Sequence, residues 1–209
     1  MLTSKTIVLF TLDKTSLMMN MDQIRADLKT KLSTDRFEHT VSVMYTAAAL
    51  AMCYHSDVQK ALLAGLLHDC TKYMSREEHI AFCERAGIPL TDIERQNQHL
   101  LHSKSGAAAA ELTYGVTDID VLNAIRHHTT GRGEMSLLEK IIFTADYIEP
   151  TRRGLKGMDE VRSLAFSDLD QCVCTISRNT LDYLYRIKAP VDQRTQDTYD
   201  YYSVKQLTY

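Results

Sequence analysis

Proline and glycine are scarce in this 209-residue chain, at three and eight residues. So few breakers favour long helices joined by short loops. Strand alternation is missing as well, Ile7–Phe10 being the one short run that can be read that way. The five cysteines (Cys53, Cys70, Cys83, Cys172 and Cys174) are odd in number and contain no CxxC pair. That excludes a disulfide framework and suits reduced, mostly buried thiols in a cytoplasmic protein. Neither sign of charge dominates. A net charge of −3 and a pI near 6.2 argue against DNA or a membrane surface as partner, both of which favour a basic face. Long apolar runs are absent too: Thr6–Leu12 lacks the length and flanks of a signal peptide or a membrane span.

What is present is an ordinary globular composition, 44% hydrophobic and 24% charged, without repeats or an obvious linker. It reads as one all-α domain large enough to enclose a core. The domain is expected over 21–190, after an N-terminal extension (1–20) and before a tyrosine-rich tail (191–209) that holds Tyr199, Tyr201, Tyr202 and Tyr209. Apolar spacing predicts helices over 21–32, from Arg36 to about Tyr54, over 58–67, from Ser75 to Gly87, over 119–128, from Ser136 to Ile148, over 158–166 and over 169–187. A further helix is expected to start directly after His102, its alanines 107–110 allowing close approach. His79, set among charges, reads as solvated, and Tyr183, at helical spacing, as core. Glu139 and Lys140 read as an exposed helix pair or as support for a metal ligand.

The stretch Leu62–Lys72 organises the rest. Its apolar helix ends in His68 and Asp69, with Lys72 shortly after. A carboxylate there is costly to bury alone, and a divalent metal removes that cost. Four other candidates can be set beside this pair: His39, His102, His128 and Asp146, each tied to a different helical segment. Histidine and carboxylate without cysteine suit iron, manganese or zinc. Six such ligands exceed one zinc site and are enough for two metals if Asp69 is shared.

The order His…His-Asp…His…His…Asp resembles the HD-domain superfamily of metal-dependent phosphohydrolases. Arg36-Phe37-Glu38-His39-Thr40, His68-Asp69-Cys70-Thr71-Lys72, His102 to Ala107, and the block from Ala124 through His128-Thr129-Thr130-Gly131-Arg132 to Ala145-Asp146-Tyr147-Ile148-Glu149-Pro150 are similar to the YqeK family. The likeness covers roughly 21–190 and implies an HD-domain helical bundle. It implies symmetric bis(5'-nucleosyl)-tetraphosphatase activity, turning diadenosine tetraphosphate and water into two ADP at a di-iron centre, with manganese or another transition metal as alternatives. It implies that His39, His68, Asp69 and Asp146 hold one ion, and that His102 and His128, with Asp69 bridging, hold the other. His127 is then a neighbour able to contact phosphate. Two metals sharing a water would lower its pKa and neutralise charge on phosphate oxygens. Lys72 and Arg132 are the first candidates to act on the polyphosphate with Asp69, followed by Lys104 and Arg152, with Arg153 beside them; Arg36 is read as holding a ligand carboxylate. The partner is a dinucleoside polyphosphate or its nucleoside diphosphate product, and a homodimer is allowed. Three rivals stand beside this reading: a phosphohydrolase of other nucleotides, a di-iron oxygenase, and a nucleotide sensor without turnover.

Overall fold

The computed structural model describes residues 19–153 and 157–205. The Ile7–Phe10 run, most of the expected N-terminal extension and Tyr209 lie outside them. The described residues form eleven helices and no strand. These are α1 (Met21–Lys31), α2 (Thr34–Cys53), α3 (Val58–Leu67), α4 (Arg76–Arg85), α5 (Asp92–Gln96), α6 (Gln98–Leu112), α7 (Ile119–His127), α8 (Leu137–Ile148), α9 (Met158–Ala165), α10 (Leu169–Arg186) and α11 (Gln193–Lys205).

The helix starts follow local chemistry. Ser33, Asp57, Ser75, Asp118 and Ser136 each accept a backbone N–H of the first turn. At Ser75 and Ser136 the third helical residue, Glu78 or Glu139, accepts in return and closes a capping box.

Helices α2, α3, α7 and α8 pack on one another and frame the site. Leu66 and Leu67 of α3, Val121 and Ile125 of α7, and Ile141, Ile142 and Ala145 of α8 form the buried interior between them. The closest approach to a neighbouring backbone is at Gly65, where an added Cβ would stand 2.8 Å from the Met44 Cα on α2. No side chain fits there. The small residues of α6 serve the same end: Gly106 lets α6 close on the His68 carbonyl, 3.4 Å from where a Cβ would be.

Two expectations are corrected by packing. Helix α6 begins at Gln98, because the Asn97 side chain caps it through the His99 N–H, so His102 sits inside the helix and not ahead of it. His79 is fully buried, its Nδ1 2.7 Å from Ser105 Oγ, because α4 lays that face on α6. The tyrosine-rich segment forms α11 on α10; Thr198 donates to the Thr130 carbonyl, and buried Tyr202 accepts the Met135 N–H at 3.1 Å. No disulfide links the five cysteines.

Candidate metal centre

His68 and His128 directly follow the last residues of α3 and α7. In both, Nδ1 lies 2.7 Å from the carbonyl three residues back, Gly65 O and Ile125 O. A carbonyl can only accept, so Nδ1 carries the proton and Nε2 presents its lone pair inward. His39, on α2, is held by Glu149 Oε1 at 3.0 Å from its Nδ1. Glu149 is itself buried and accepts from the Thr151 N–H and hydroxyl at 2.6 and 2.7 Å. Such outer carboxylates orient a ligating imidazole and raise its basicity. Past His68 the chain continues in tight three-residue turns, with Lys72 N–H donating to Asp69 O, so Lys72 returns to the side of Asp69.

Asp69 stands in the middle, and its two oxygens face different neighbours. Oδ2 lies 2.9 Å from Arg36 Nη1, 3.5 Å from His68 Nε2 and 3.9 Å from His39 Nε2. Oδ1 lies 3.2 Å from His102 Nε2, 3.5 Å from Lys72 Nζ and 3.7 Å from His128 Nε2. Asp146 Oδ1 completes the first side, 3.1 Å from His39 Nε2 and 3.9 Å from His68 Nε2. On the second side His102 Nε2 and His128 Nε2 are 3.0 Å apart. Two triads have their ligand atoms within 4.8 Å of one another: His39, His68 and Asp146, and His68, Asp69 and His128.

The residues fit divalent cations. Burial pushes His68 down to about 4 and His102 to about 3, so both are neutral near pH 7, the form that ligates. Burial alone would raise the two aspartates. Around Asp69, His68 and Lys72 reverse it, and around Asp146, His39, His68 and Arg152 do so, holding both carboxyls well below the usual range. His68 Nε2 and Asp69 Oδ1 are buried without a hydrogen-bond partner. Orphaned atoms of that kind cost stability unless something satisfies them. A nitrogen and oxygen donor set without sulfur suits a borderline cation.

The structure brings His39, His68, Asp69, His102, His128 and Asp146 into one cluster with Lys72, whose Nζ is 3.1 Å from His102 Nε2. Arg36 holds Asp69, as expected. Arg152 reaches Asp146 Oδ1 with Nη2 at 2.9 Å and lines the cavity beside the cluster. Lys104 is not brought there. Its ammonium is tied to Pro89 O and Glu94, on the far flank of α6. His127 and Arg132 converge on Glu139: His127 Nδ1 is 2.6 Å from Oε1, and Arg132 donates through Nε and Nη2 at 2.8 and 2.7 Å. Glu139 is therefore no exposed pair partner but 1% exposed; burial would raise its carboxyl, yet these donors and the Ser136 N–H bring it down to about 2. Lys140 turns to Asp170.

Two features escaped the sequence reading. Glu149 carries a signal in hindsight, since a carboxylate at a helix C-terminus opposes the helix dipole and calls for a partner. The second is a cavity of about 880 Å³ that opens beside His128 and Asp146 and runs along α10. Tyr183, expected in the core, lines it and is 51% exposed.

Residues 36–151 match the HD domain family model. The "Bis(5'-nucleosyl)-tetraphosphatase, symmetrical" of Bacillus subtilis is 40% identical over 183 residues, 88% of this chain and 97% of the relative. The protein of the same name from Halalkalibacterium halodurans is 42% identical over 173 residues, 83% of this chain and 91% of the relative. A crystal structure described as an HD superfamily hydrolase involved in NAD metabolism, from Clostridium acetobutylicum, superposes with a TM-score of 0.87 at 40% identity, covering 90% of this chain and 99% of the other.

Proposed function

The chain belongs to the HD-domain family, and we propose that it hydrolyses diadenosine tetraphosphate symmetrically to two ADP, in a metal-dependent reaction. The single observation that carries the reading is Asp69. Its two oxygens face two separate sets of inward-pointing imidazole nitrogens, with the cations Lys72 and Arg152 beside them. His39, His68, Asp146 and Asp69 would hold one ion, and His102, His128 and Asp69 the other, iron being the first candidate. When bound, such ions supply Lewis acidity toward a phosphoryl oxygen and toward the attacking water.

The chain's own residues do the rest. The net reaction adds water across the central anhydride: one P–O bond to the oxygen between the second and third phosphates breaks, and each half leaves as ADP. Lys72, most of its length buried and its pKa lowered by that burial, offers its ammonium at the rim of the cluster. It is placed to donate to a phosphate oxygen where charge grows in the transition state. Arg152, 41% exposed, keeps donors free beyond its bond to Asp146 and faces the cavity. Glu149, through His39, and Arg36, through Asp69, act as positioning residues. Arg132 and His127 act less directly, since Glu139 on α8 holds both, His127 at the end of α7 and Arg132 in the connection that follows; the outer edge of that pair is where a more distant phosphate would be met. No helix among the described residues is long and apolar enough to cross a membrane. With five thiols and no disulfide, we place the activity in the cytoplasm.

Nucleotide chromatography after incubating iron-loaded protein with diadenosine tetraphosphate tests this. ADP as the sole product is expected. AMP with ATP would overturn symmetric cleavage, and no turnover by a metal-replete protein would overturn the activity.

A further inference from the structure

The groups assigned so far occupy only the inner end of the 880 Å³ cavity, at His128, Asp146 and Arg152. The remainder is walled by α8, α9 and α10. On α10 the lining residues Thr175, Asn179, Asp182 and Arg186 recur every three to four positions and so form one helical stripe, with Tyr183 next to Asp182 at its edge. The residues Val173, Ser177 and Leu181 of the same helix are buried, lie outside the lining and hold it against the core. The stripe therefore faces the cavity because the other side of α10 is anchored.

Its chemistry differs from that of the inner end. Tyr183 is a half-exposed aromatic ring with the Arg186 guanidinium 5.6 Å from its centroid. Asn179 lies alongside, its Nδ2 3.5 Å from Tyr147 Oη on the α8 wall. Asp182 adds a carboxylate acceptor. A flat π surface, an amide with donors and an acceptor, and a carboxylate are what a purine and a ribose require, whereas a bare polyphosphate would gain nothing from a ring or a carboxylate. The volume also lies in the range of about 300–1,000 Å³ typical of small-molecule sites. We propose that the α10 wall binds the nucleoside of one substrate arm, with the base against Tyr183 and Asn179 in reach of its polar edge, while the phosphates run inward past Arg152 to the His/Asp cluster. This rests on the activity proposed above and makes Tyr183 a specificity-determining residue for it.

Equilibrium binding on the full-length, iron-loaded protein separates the two ends of the cavity, with ADP and inorganic tripolyphosphate as probes. Tyr183→Ala should weaken ADP roughly tenfold, the loss expected for one base–aromatic stack, and leave tripolyphosphate within about twofold. Tyr183→Phe should restore ADP affinity, and metal content should match the wild type in both. Undiminished ADP binding by Tyr183→Ala would overturn the proposal. So would an equal loss of both probes, which would mean that the ring shapes the cavity without reading the base. If the wild type cleaves diadenosine tetraphosphate and Tyr183→Ala still binds ADP normally, only the nucleoside wall is lost. If the wild type does not cleave it, the underlying activity falls with it.

Discussion

Replacing Gly65 with alanine sets two opposing effects against each other in the helix that ends at His68. Intrinsic helix propensity favours alanine over glycine by about 1 kcal/mol, so propensity alone raises stability. Against this, the new Cβ would stand 2.8 Å from Met44 Cα and 3.2 Å from Met44 N, both backbone atoms of α2. Carbon atoms in contact prefer about 3.5–4.0 Å, so α2 and α3 would have to separate by roughly 1 Å. No rotamer change relieves a clash with backbone, which puts the cost near the upper end of the about 1–3 kcal/mol seen for overpacked cores. The net expectation is destabilisation of about 2 kcal/mol. For a domain of this size that lowers Tm by roughly 4–8 °C. The same separation moves His39 on α2 away from His68 beyond α3, and misplacement of about 1 Å can cost on the order of 100-fold in rate. Thermal melts with and without added iron, metal content and turnover of diadenosine tetraphosphate would be measured together. A higher Tm with unchanged metal content would refute the reasoning, since it would mean that the helices yield freely and that propensity wins.

Other consequences follow from single residues. Glu149→Gln should lower metal affinity by about 10–100-fold while the melt of the metal-free protein changes little, because His39 loses its charged acceptor and little packing; competition with a chelator reads this. Glu94 is buried; burial would raise its carboxyl, but Lys104, the Thr91 N–H and Arg194 hold it below its ordinary value of 4.5. The folded-state value is the depressed one, so this stabilisation is complete above about pH 4.5 and is lost as pH falls below it. Glu94→Gln should cost about 1–3 kcal/mol at pH 7 in denaturant melts and show a smaller loss than wild type on going to pH 3.5. Tyr202→Phe removes the acceptor of the buried Met135 N–H and should cost about 1–3 kcal/mol, with little change in metal content, since α11 supports the 130–135 loop from outside the cluster.

Much of the centre was legible in the chain because its signals are local. His68 and Asp69 close an apolar helix, Ser75, Asp118 and Ser136 are side chains that cap their own first turns, and Asp146 interrupts an apolar run. Those features depend on neighbours within a few residues, so periodicity and capping chemistry were enough to set an all-α fold and to single out six ligand candidates. What needed the tertiary structure was everything decided across helices. Lys104 and Arg132 had the right charge for phosphate, but Glu94 and Glu139 were nearer. His79 sits among charges in the chain and in the core in space, because α6 covers it. Tyr183 has core spacing, yet α10 turns that stripe toward the cavity. The split of Asp69, one oxygen toward His39 and His68 and the other toward His102 and His128, arises only where α2, α3, α6 and α7 meet. A side chain's type is written in the sequence; which of several possible partners lies within 3 Å of it is a distance, and only packing sets distances.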